Sequence, residues 1–528
     1  MYQFLDRVTV SEFEKYFAQY FRGSVDSEFR NLERSAVYSI LFAIHGYDVL
    51  YDKRIRRLLV GTLLDEEVQS LAADVGDSKS TTRELQQLSI GAAQWRVGSK
   101  LALRLGEVAR IPLEFLPQKS LATESEEIIE PYTPLPELFD YQRELVVEIT
   151  ELLTSSGAGL MQLPTGAGKT RTAITALVAY LNDYPDAVKY RGIVWLAHTE
   201  ELCEQAVETF QRVWRQQGRH DLRVIRCWGG RRVAVERCTG AFVVASYQQG
   251  VNLLSGCKES LGDFVCAVVV DEAHRGLAPA VRGLLQPLRD DGRVSLLGLT
   301  ATPGRQADDS MENIELARLF GKNLLTSSVL GELPIETLQT RGILAKVKRT
   351  VRETGLDFDL DGDGRDQDIS FVHLKSLSQH QGRNAIIASL VVEEVEAGHP
   401  TLVFCCTVAH ARALAALVAA KGVRSGFVDC EMRRGLRHRI VDGYRRGTIT
   451  ALFNYGVLST GFDAPNIKTI IIARPTSSIV LYSQMIGRGL RGEKVGGSKD
   501  VTVIDVQDNV DRFGTVGSVY QHFNQYWL

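Results

Sequence analysis

The sequence predicts an α/β protein in which a mainly helical amino-terminal domain precedes two tandem domains built on parallel sheets. From residue 139 onward, short apolar runs alternate with helical patterns, and this alternation occurs in two successive series. Strands that alternate with helices are typical of βαβ units, in which helices cover both faces of a parallel sheet. A chain of 528 residues is also too long for one hydrophobic core, since single cores stop growing near about 250–300 residues.

Residues 1–123 are predicted to form the helical accessory domain. Segments such as SAVYSILFAIHGYDVL and KLALRLGEVARIPLEFL space their apolar residues three and four apart, as the buried face of a helix does. Residues 124–138 combine acidic residues with three prolines. This composition predicts a linker or a domain edge.

Residues 139–330 and 331–510 are predicted as the two sheet domains, followed by a tail over 511–528. The runs read as strands in the first domain are GLMQLP, GIVWLAH, FVVASY, CAVVVDEAH and RVSLLGLTATP. Those in the second domain are TLVFCCT, SGFVDC, TALFNY, TIIIARP and DVTVIDV. Such short, continuously apolar runs are typical of strands buried on both faces.

Composition excludes several classes of protein. Hydrophobic residues make up 45% and charged residues 24% of the chain, as in ordinary globular proteins. There is no apolar run of membrane-spanning length, and the first residues are acidic and aromatic, so we expect a cytoplasmic protein without a membrane partner. The cysteines form no CxxC pair, which argues against a zinc site or a disulfide framework. With a net charge of −3, any surface for a polyanion must be a local cleft.

A phosphate-binding loop is predicted where PTGAGKT follows an apolar strand and opens a helix. Backbone N–H groups and the helix N-terminus then face an anion. Lys169 is expected to reach the β- and γ-phosphates of a nucleoside triphosphate, and Thr170 to place its hydroxyl on Mg²⁺. The residues predicted to hold the nucleotide in this loop are Thr165, Gly166, Ala167, Gly168, Lys169 and Thr170.

Two adjacent carboxylates end the apolar run CAVVVDEAHR. Asp271 can hold Mg²⁺, and Glu272 can orient or deprotonate an attacking water. A solvated strand end is the alternative interpretation of such a pair when it is taken alone. Its combination with the phosphate-binding loop favours a catalytic pair.

Seven motifs between about residue 136 and residue 508 occur in the order found in one family. The chain thereby resembles the superfamily 2 helicases with a DEAH box, and especially the group containing bacterial RadD, eukaryotic XPB and the motor subunits of type I and type III restriction enzymes. The resemblance implies two RecA-like domains, an ATPase that uses ATP and Mg²⁺, and movement along nucleic acid.

The resemblance also implies roles for residues of the first domain. In LFDYQREL, Gln142 would contact the adenine. The segments WLAHTEELCEQ and VASYQQ resemble strand-contacting motifs, with His198, Thr199, Ser246 and Gln248 at the relevant positions. LTATPGR resembles the motif that couples the ATP site to strand binding, through Thr300 and Thr302. For each hydroxyl, a turn or helix cap is the alternative role.

In the second domain, LVFCCTVAHA and NYGVLSTGFDAPNI resemble the fourth and fifth family motifs. The resemblance gives Gly461 and Asp463 a role in the nucleotide site and Thr460 a role in coupling. SQMIGRGLR resembles the family pattern QxxGRxxR. It implies that Arg488 and Arg491 complete the ATP site from the second domain as arginine fingers, and that Gln484 positions the nucleotide or the water.

Five charged segments have two interpretations each. RRGLRHR (433–439) with YRRG, and RCWGGRR with its Trp228, could form a nucleic-acid track or simply solvated helix faces. DKRIRR (52–57) could contact nucleic acid or a partner, or be a charged helix face. DFDLDGDGRDQD (357–368) departs from a calcium loop at its twelfth position, Asp368, so an acidic surface loop is favoured.

These observations predict an ATP-dependent nucleic-acid translocase or helicase, with DNA favoured over RNA as its partner. The first alternative is the motor subunit of a restriction or antiphage defence complex, with protein partners bound through the amino-terminal domain. The second is an ATP-gated clamp that closes on nucleic acid without unwinding it. No nuclease constellation is recognised in the amino-terminal region.

Overall fold

A computed structural model describes the chain over most of its length. The described ranges are 2–21, 29–75, 82–117, 126–129, 135–255, 261–275, 278–301, 310–355, 369–457, 466–476 and 478–506.

Helices and strands alternate through most of these ranges, and they are numbered here in chain order. The α-helices are α1 (Val10–Tyr20), α2 (Arg34–His45), α3 (Lys53–Gly61), α4 (Asp65–Asp74), α5 (Arg83–Ala92), α6 (Lys100–Val108), α7 (Asp140–Thr154), α8 (Lys169–Asp183), α9 (Pro185–Tyr190), α10 (Glu200–Gln217), α11 (Tyr247–Ser255), α12 (Leu261–Phe264), α13 (Pro279–Asp291), α14 (Ser310–Leu319), α15 (Pro334–Thr340), α16 (Phe371–Gln379), α17 (Gln381–Glu396), α18 (Val408–Ala420), α19 (Arg434–Arg445) and α20 (Ile479–Ile486). The strands are β1 (Glu126–Ile129), β2 (Ala158–Gln162), β3 (Gly192–Ala197), β4 (Leu222–Cys227), β5 (Ala241–Ser246), β6 (Val265–Asp271), β7 (Ser295–Thr300), β8 (Leu324–Leu325), β9 (Lys346–Arg352), β10 (Thr401–Phe404), β11 (Ser425–Val428), β12 (Ala451–Asn454), β13 (Thr469–Ile472) and β14 (Asp500–Val506).

The first sheet has the strand order β1-β4-β5-β3-β6-β7-β2-β8. All of its neighbouring strands run parallel except β1, which pairs antiparallel with β4. The central strands β3, β6 and β7 are buried along their whole length, which explains their continuous apolar runs. β1 lies within the segment predicted as a linker, so that segment contributes an edge strand to this sheet.

The second sheet is parallel throughout and has the order β11-β12-β10-β13-β14-β9. The ten strands predicted from apolar runs are therefore present, and the predicted class of two tandem parallel sheets is confirmed. β1, β4, β8 and β9 were not predicted. β9 is an edge strand with the sequence KVKRTVR, and it is too polar and too exposed to carry an apolar run.

The amino-terminal region is helical, as predicted, and it shares one hydrophobic core with the second sheet domain. In α2, the residues Val37, Ile40, Leu41 and Ile44 are buried at helical spacing, and α2 packs against α18. Alanines are frequent in α18, so the two helices can approach closely. Because the core is continuous, the accessory domain and the second sheet domain are packed as one unit.

Charged contacts also form between the accessory domain and the second sheet domain, and they involve the basic segment 433–439. Arg433 donates from Nε to Oδ2 of Asp48 at 2.7 Å, and its guanidinium lies 3.3 Å from the ring centre of Tyr51. Arg439 lies 4.4 Å from the ring centre of Tyr47. These arginines therefore help to hold the accessory domain against the second sheet domain.

Two other suggested contacts are also structural. Trp228 is only 1% exposed, so its ring belongs to the core and is not available to stack on a base. Arg56 of the DKRIRR segment is buried and donates to the carbonyl oxygens of Leu50, Gly91 and Ala93. The neighbouring Lys53 and Arg57 remain exposed.

Of the cysteines in the described ranges, all are free, and only Cys430 is exposed. No group of three or more metal-ligating side chains occurs in that part of the chain. Its helices also include none that is both long and apolar enough to cross a membrane. The calcium-like loop 357–368 lies outside the described residues.

Candidate functional site at the domain interface

A cavity of about 640 Å³ lies where the two sheet domains meet, and side chains of both domains line it. The first domain contributes the loop before α8, the end of β6, and one face of α10. The second domain contributes α19 and the segment that follows α20. Ligands of α/β proteins bind at the carboxyl ends of parallel strands, where the loops after β2 and β6 lie. Sequence-predicted residues that line the cavity are Gln142, Thr165, Gly166, Ala167, Gly168, Lys169, Thr170, Asp271, Glu272, Arg488 and Arg491.

The loop between β2 and α8 has the backbone that phosphate binding requires. Gly166 and Gly168 adopt φ values of +87° and +88°, a region that favours glycine. Gly168 is the N-cap of α8, so Lys169 and Thr170 are the first residues of that helix. The unpaired N–H groups of this helix end favour a bound anion.

Gln142 supports this loop from α7. Its Nε2 donates to the carbonyl oxygen of Ala167 at 3.3 Å, and Tyr141 donates its hydroxyl to the same oxygen at 2.9 Å. The Oε1 atom of Gln142 accepts from the backbone N–H of Phe139. Gln142 therefore lies against the phosphate-binding loop and also lines the cavity.

The acidic pair follows directly from the end of β6. Asp271 and Glu272 are both buried, and the backbone N–H of Glu272 donates to Oδ1 of Asp271 at 3.0 Å. Tyr247 donates its hydroxyl to the carbonyl oxygen of Asp271 at 2.6 Å. Glu272 has a φ of +52°, an uncommon conformation for a residue with a side chain. Such strain costs on the order of 1–3 kcal/mol and is concentrated at functional sites.

Burial and neighbouring charges shift the pKa values of the charged groups in the cavity. Burial lowers the pKa of Lys169, and Arg488 lowers it further, whereas Glu272 and Asp271 oppose the shift. Burial and the charge of Glu272 raise the pKa of Asp271 to about 7, against the opposing effect of Lys169. A phosphate beside Lys169 and a divalent cation beside Asp271 would each favour the charged form. The site is therefore electrostatically complementary to a magnesium-bound polyphosphate.

The second domain supplies the opposite wall. Gly487 lies against Thr165 of the phosphate-binding loop, and a Cβ atom built on Gly487 would come within 2.7 Å of Thr165 Cβ. Arg488 donates from Nε to the carbonyl oxygen of Gln484 at 3.1 Å. Arg491 is fixed through its backbone, which forms an isolated β-bridge with Leu344. Both arginines thus reach the cavity from the domain that does not carry the phosphate-binding loop.

His274 connects the two walls. Its Nδ1 lies 3.1 Å from Oγ1 of Thr300 and 3.5 Å from Oε2 of Glu272, while its Nε2 lies 3.5 Å from Nε2 of Gln484. Gln484 is buried, and its Oε1 has no hydrogen-bond partner among the described residues. Sequence reasoning did not assign a role to His274. The sequence feature that could have identified His274 is its place as the last residue of the DEAH segment.

The predicted strand-contacting residues lie side by side at the carboxyl edge of the first sheet. Ala197 at the end of β3 pairs with Ser246 at the end of β5, so His198 and Thr199 emerge next to Ser246 and Gln248. His198 and Gln248 are exposed. The hydroxyl of Thr199 caps α10, and that of Ser246 accepts from the N–H of Gln249, so both hydroxyls also have local roles.

Four predicted residues, Thr302, Thr460, Gly461 and Asp463, lie outside the described residues. The remaining oxygen donors suit Mg²⁺. Thr170 and Asp271 both line the cavity, and hard cations prefer oxygen ligands. Mg²⁺ is usually held by one or two protein groups together with substrate phosphates, so a site this sparse in protein ligands fits it.

Comparison with known families finds two matches along the chain. The family model described as "Type III restriction enzyme, res subunit" matches residues 135–305. The model described as "Helicase conserved C-terminal domain" matches residues 382–493. The matched segments contain most of the residues that line the cavity.

Curated relatives and solved structures extend this comparison. The chain is 24% identical over 383 residues to "Putative ATP-dependent helicase IRC3" of Saccharomyces cerevisiae, covering 70% of this chain and 52% of that protein. It is 24% identical over 390 residues to "Putative helicase 22" of the Sulfolobus islandicus filamentous virus, covering 71% of this chain and 65% of the relative. A fragment of a putative HsdR subunit of a type I restriction enzyme from Vibrio vulnificus YJ016 aligns with a TM-score of 0.49 at 21% identity, covering 75% of this chain and 66% of the fragment. The chain spans about half the length of the first curated relatives that it matches.

Proposed function

We propose that this chain, which belongs to the superfamily 2 helicases of the group that contains the restriction-enzyme motors, is an ATP-driven translocase or helicase acting on DNA. The observation that carries the proposal is the single cavity lined by Lys169 and Glu272 from one sheet domain and by Arg488 and Arg491 from the other. A triphosphate in this cavity would be held from both sides. Its hydrolysis would remove the contacts that join the two domains through the γ-phosphate.

The residues on the first wall suit the chemistry of hydrolysis. The partly buried ammonium of Lys169 would neutralise charge on the β- and γ-phosphates. When bound between Thr170 and Asp271, Mg²⁺ would supply further neutralisation of the phosphates. Glu272 would orient the attacking water and accept its proton. The backbone beside Glu272 is held in place by Tyr247, whose hydroxyl donates to the carbonyl oxygen of Asp271.

The residues on the second wall suit stabilisation of the transition state. Guanidinium groups are always charged and bind phosphate oxygens in a fork geometry. Arg488 and Arg491 would therefore compensate the charge that develops on the transferred phosphoryl group. Because this contact requires a closed cleft, hydrolysis would depend on the relative position of the two domains.

The contacts of His274 suggest how strand binding is coupled to hydrolysis. His274 contacts Thr300 at the end of β7, Glu272 beside the water position, and Gln484 of the second domain. His198 and Gln248 lie at the same edge of the sheet, where a strand would cross it. His198 packs edge-on against the ring of Tyr247, whose hydroxyl donates to the carbonyl oxygen of Asp271, so a displacement of His198 would reach the acidic pair.

Two assays test the proposal. The first measures ATP hydrolysis with single-stranded DNA, duplex DNA, branched DNA and RNA in turn. Stimulation by DNA above that by RNA is expected, and no stimulation by any nucleic acid would contradict the proposal. The second is displacement of the third strand of a DNA triplex. ATP-driven displacement indicates translocation, whereas binding without displacement would indicate an ATP-gated clamp.

A third assay tests the alternative of a multi-subunit defence complex. The tagged chain is purified together with the products of its neighbouring genes. We expect it to purify with DNA-stimulated ATPase activity on its own. A stable complex that cleaves DNA would favour the alternative instead.

A further inference from the structure

Helix α19 lies between the accessory domain and the first sheet domain. On one side, Gly46 of the accessory domain is so close that a Cβ atom built there would meet Leu436 Cδ1 at 2.8 Å and Ile440 Cδ1 at 3.7 Å. Arg433, which is the N-cap of the helix, is paired with Asp48. These contacts hold α19 against the accessory domain, so the side chains on the opposite face of α19 have defined positions.

On that other side, Arg437 reaches across the domain interface. It forms an ion pair with Glu201 of α10, and its Nη1 donates to the carbonyl oxygen of Asp429 at 3.3 Å. The side chains of Arg437 and Glu201 are 11% and 27% exposed. The pair is therefore largely removed from solvent, where opposite charges interact more strongly than they do at the surface.

Three further features connect this pair with the nucleotide cavity. Arg437 and Glu201 both line it. Along α10 the lining carboxylates Glu204 and Glu208 accompany Glu201 together with one arginine, Arg212. Along α19 the basic residues His438 and Arg445 accompany Arg437 together with one carboxylate, Asp442, which pairs with Arg445. In addition, the buried Nε of Arg437 has no hydrogen-bond partner among the described residues.

We propose that Arg437 is a positioning residue for ATP hydrolysis, and that its ion pair with Glu201 is a latch that holds the cleft closed at the nucleotide site. This proposal rests on the proposed ATPase function. It adds a contact that does not require the γ-phosphate, unlike the contacts of Arg488 and Arg491. The latch raises the fraction of molecules in which both walls of the site are assembled before ATP arrives.

The consequence for kinetics follows from population shift. A ligand that binds only the closed form has an apparent dissociation constant equal to its intrinsic constant divided by the closed fraction. Loss of the latch therefore weakens ATP binding, whereas saturating ATP still closes the cleft through the two arginine fingers. We expect the KM for ATP to rise by roughly tenfold, within the usual range of coupling between sites. The kcat should change by less than about twofold, because Arg437 is not assigned to the transition state.

The test compares Arg437→Ala, Glu201→Gln and the charge-swapped pair Arg437→Glu with Glu201→Arg. The control is Arg446→Ala, which removes an exposed arginine at the end of the same helix that does not line the cavity. Both single variants should show the increase in KM, and the control should not. Arg437→Glu alone is measured as well, and the swapped pair should recover most of its loss. If Arg437 variants fail to fold, Glu201→Gln still removes the charge from the more exposed partner.

Closure is measured separately, without nucleotide, by energy transfer between dyes on cysteines introduced at the exposed Gln216 and Lys421. The background carries Cys257→Ser and Cys430→Ser so that only the introduced sites are labelled. Lower transfer efficiency in Glu201→Gln than in the parent supports the latch. Unchanged transfer together with an unchanged KM overturns it. Failure of the parent to bind a fluorescent ATP analogue would instead refute the proposed function, and the energy-transfer result would still report on the latch.

Discussion

Gly487 of the second sheet domain lies directly against Thr165 of the phosphate-binding loop, with no room for a side chain at position 487. A Cβ atom there would come within 2.7 Å of both Cβ and Cγ2 of Thr165. The residue before the proposed arginine finger therefore touches the loop that would hold the phosphates. This contact fixes how closely the two domains approach.

Gly487→Ala should impair ATP hydrolysis because the added methyl group forces the two domains apart. Small displacements at a catalytic centre are costly, and we expect turnover to fall by about tenfold or more. The control is Gly435→Ala, since a Cβ atom at Gly435 would meet nothing within 4 Å. Steady-state ATPase assays compare the two variants. Equal activity in both would show that the contact is not needed for catalysis.

Lys169→Ala should abolish ATP turnover while the chain remains folded. The substitution removes the cation that interacts with Asp271 and Glu272, and it leaves the glycine backbone of the loop in place. Lys189→Ala, at an exposed position in α9, serves as the control. Hydrolysis by the Lys169 variant at the normal rate would refute the assignment of this loop.

Glu272→Gln should retain ATP and prevent its hydrolysis. The amide keeps the size of the side chain but cannot accept a proton from water. Because Glu272 contributes to the raised pKa of Asp271, removing its charge should also relieve repulsion between the two carboxylates. We therefore expect slow release of bound ATP in a filter-binding assay and no loss of thermal stability. Turnover at the normal rate would mean that another group positions the water.

Arg488→Ala should lower turnover by about 10³-fold or more, as the loss of an arginine finger does. ATP affinity should fall only modestly, since Lys169 and the backbone of the phosphate-binding loop remain. Single-turnover hydrolysis and equilibrium binding of ATP separate the two effects. An Arg488 variant that hydrolyses ATP nearly as fast as the parent would exclude the finger role.

Acid should destabilise the accessory domain through His45. The Nε2 of His45 lies 2.7 Å from the hydroxyl of Tyr16, which donates to Oδ2 of Asp52 at 2.9 Å. Burial lowers the pKa of His45 to about 4, below its usual value of 6.5. The unfolded chain then binds more protons than the folded chain between these values, so the free energy of unfolding falls as the pH drops from about 6.5 to 4. The loss from this residue is at most about 3 kcal/mol.

Denaturant unfolding of the parent and of His45→Gln at several pH values tests this effect. Glutamine can still donate to the Tyr16 hydroxyl, but it does not titrate. The variant should lose less stability than the parent below pH 6.5. His373→Gln, at an exposed position, should behave like the parent. Identical pH dependence in His45→Gln and the parent would contradict the assignment.

The strands and the first wall of the site could be predicted from sequence because their signals are local. β3 and β6 are buried runs of apolar residues, and the loop before α8 requires glycines at Gly166 and Gly168. β9 could not be predicted, because an edge strand of alternating lysines, arginines and valines has no apolar run. Arg488 was assigned to the site from the family resemblance alone. No local sequence pattern indicates that it lies near the phosphate-binding loop.

Contacts between distant parts of the chain lay beyond sequence reasoning. Asp48 and Arg433 are 385 positions apart, and nothing in either segment identifies the other as its partner. The same holds for Arg437 and Glu201, whose segments were interpreted as a basic cluster and a strand-contacting motif. Charge patterns show that a surface is basic, but only the packing of helices shows which carboxylate neutralises it.

The central claim is that two sheet domains of one chain share a single nucleotide. A crystal structure of the protein with Mg²⁺, ADP and beryllium fluoride, which mimics the γ-phosphate, tests it most directly. We predict that the guanidinium of Arg488 lies within hydrogen-bond distance, about 3 Å, of the fluoride atoms, opposite Lys169. A complex in which only first-domain residues contact the beryllium fluoride, with Arg488 and Arg491 both directed away from it, would contradict the claim.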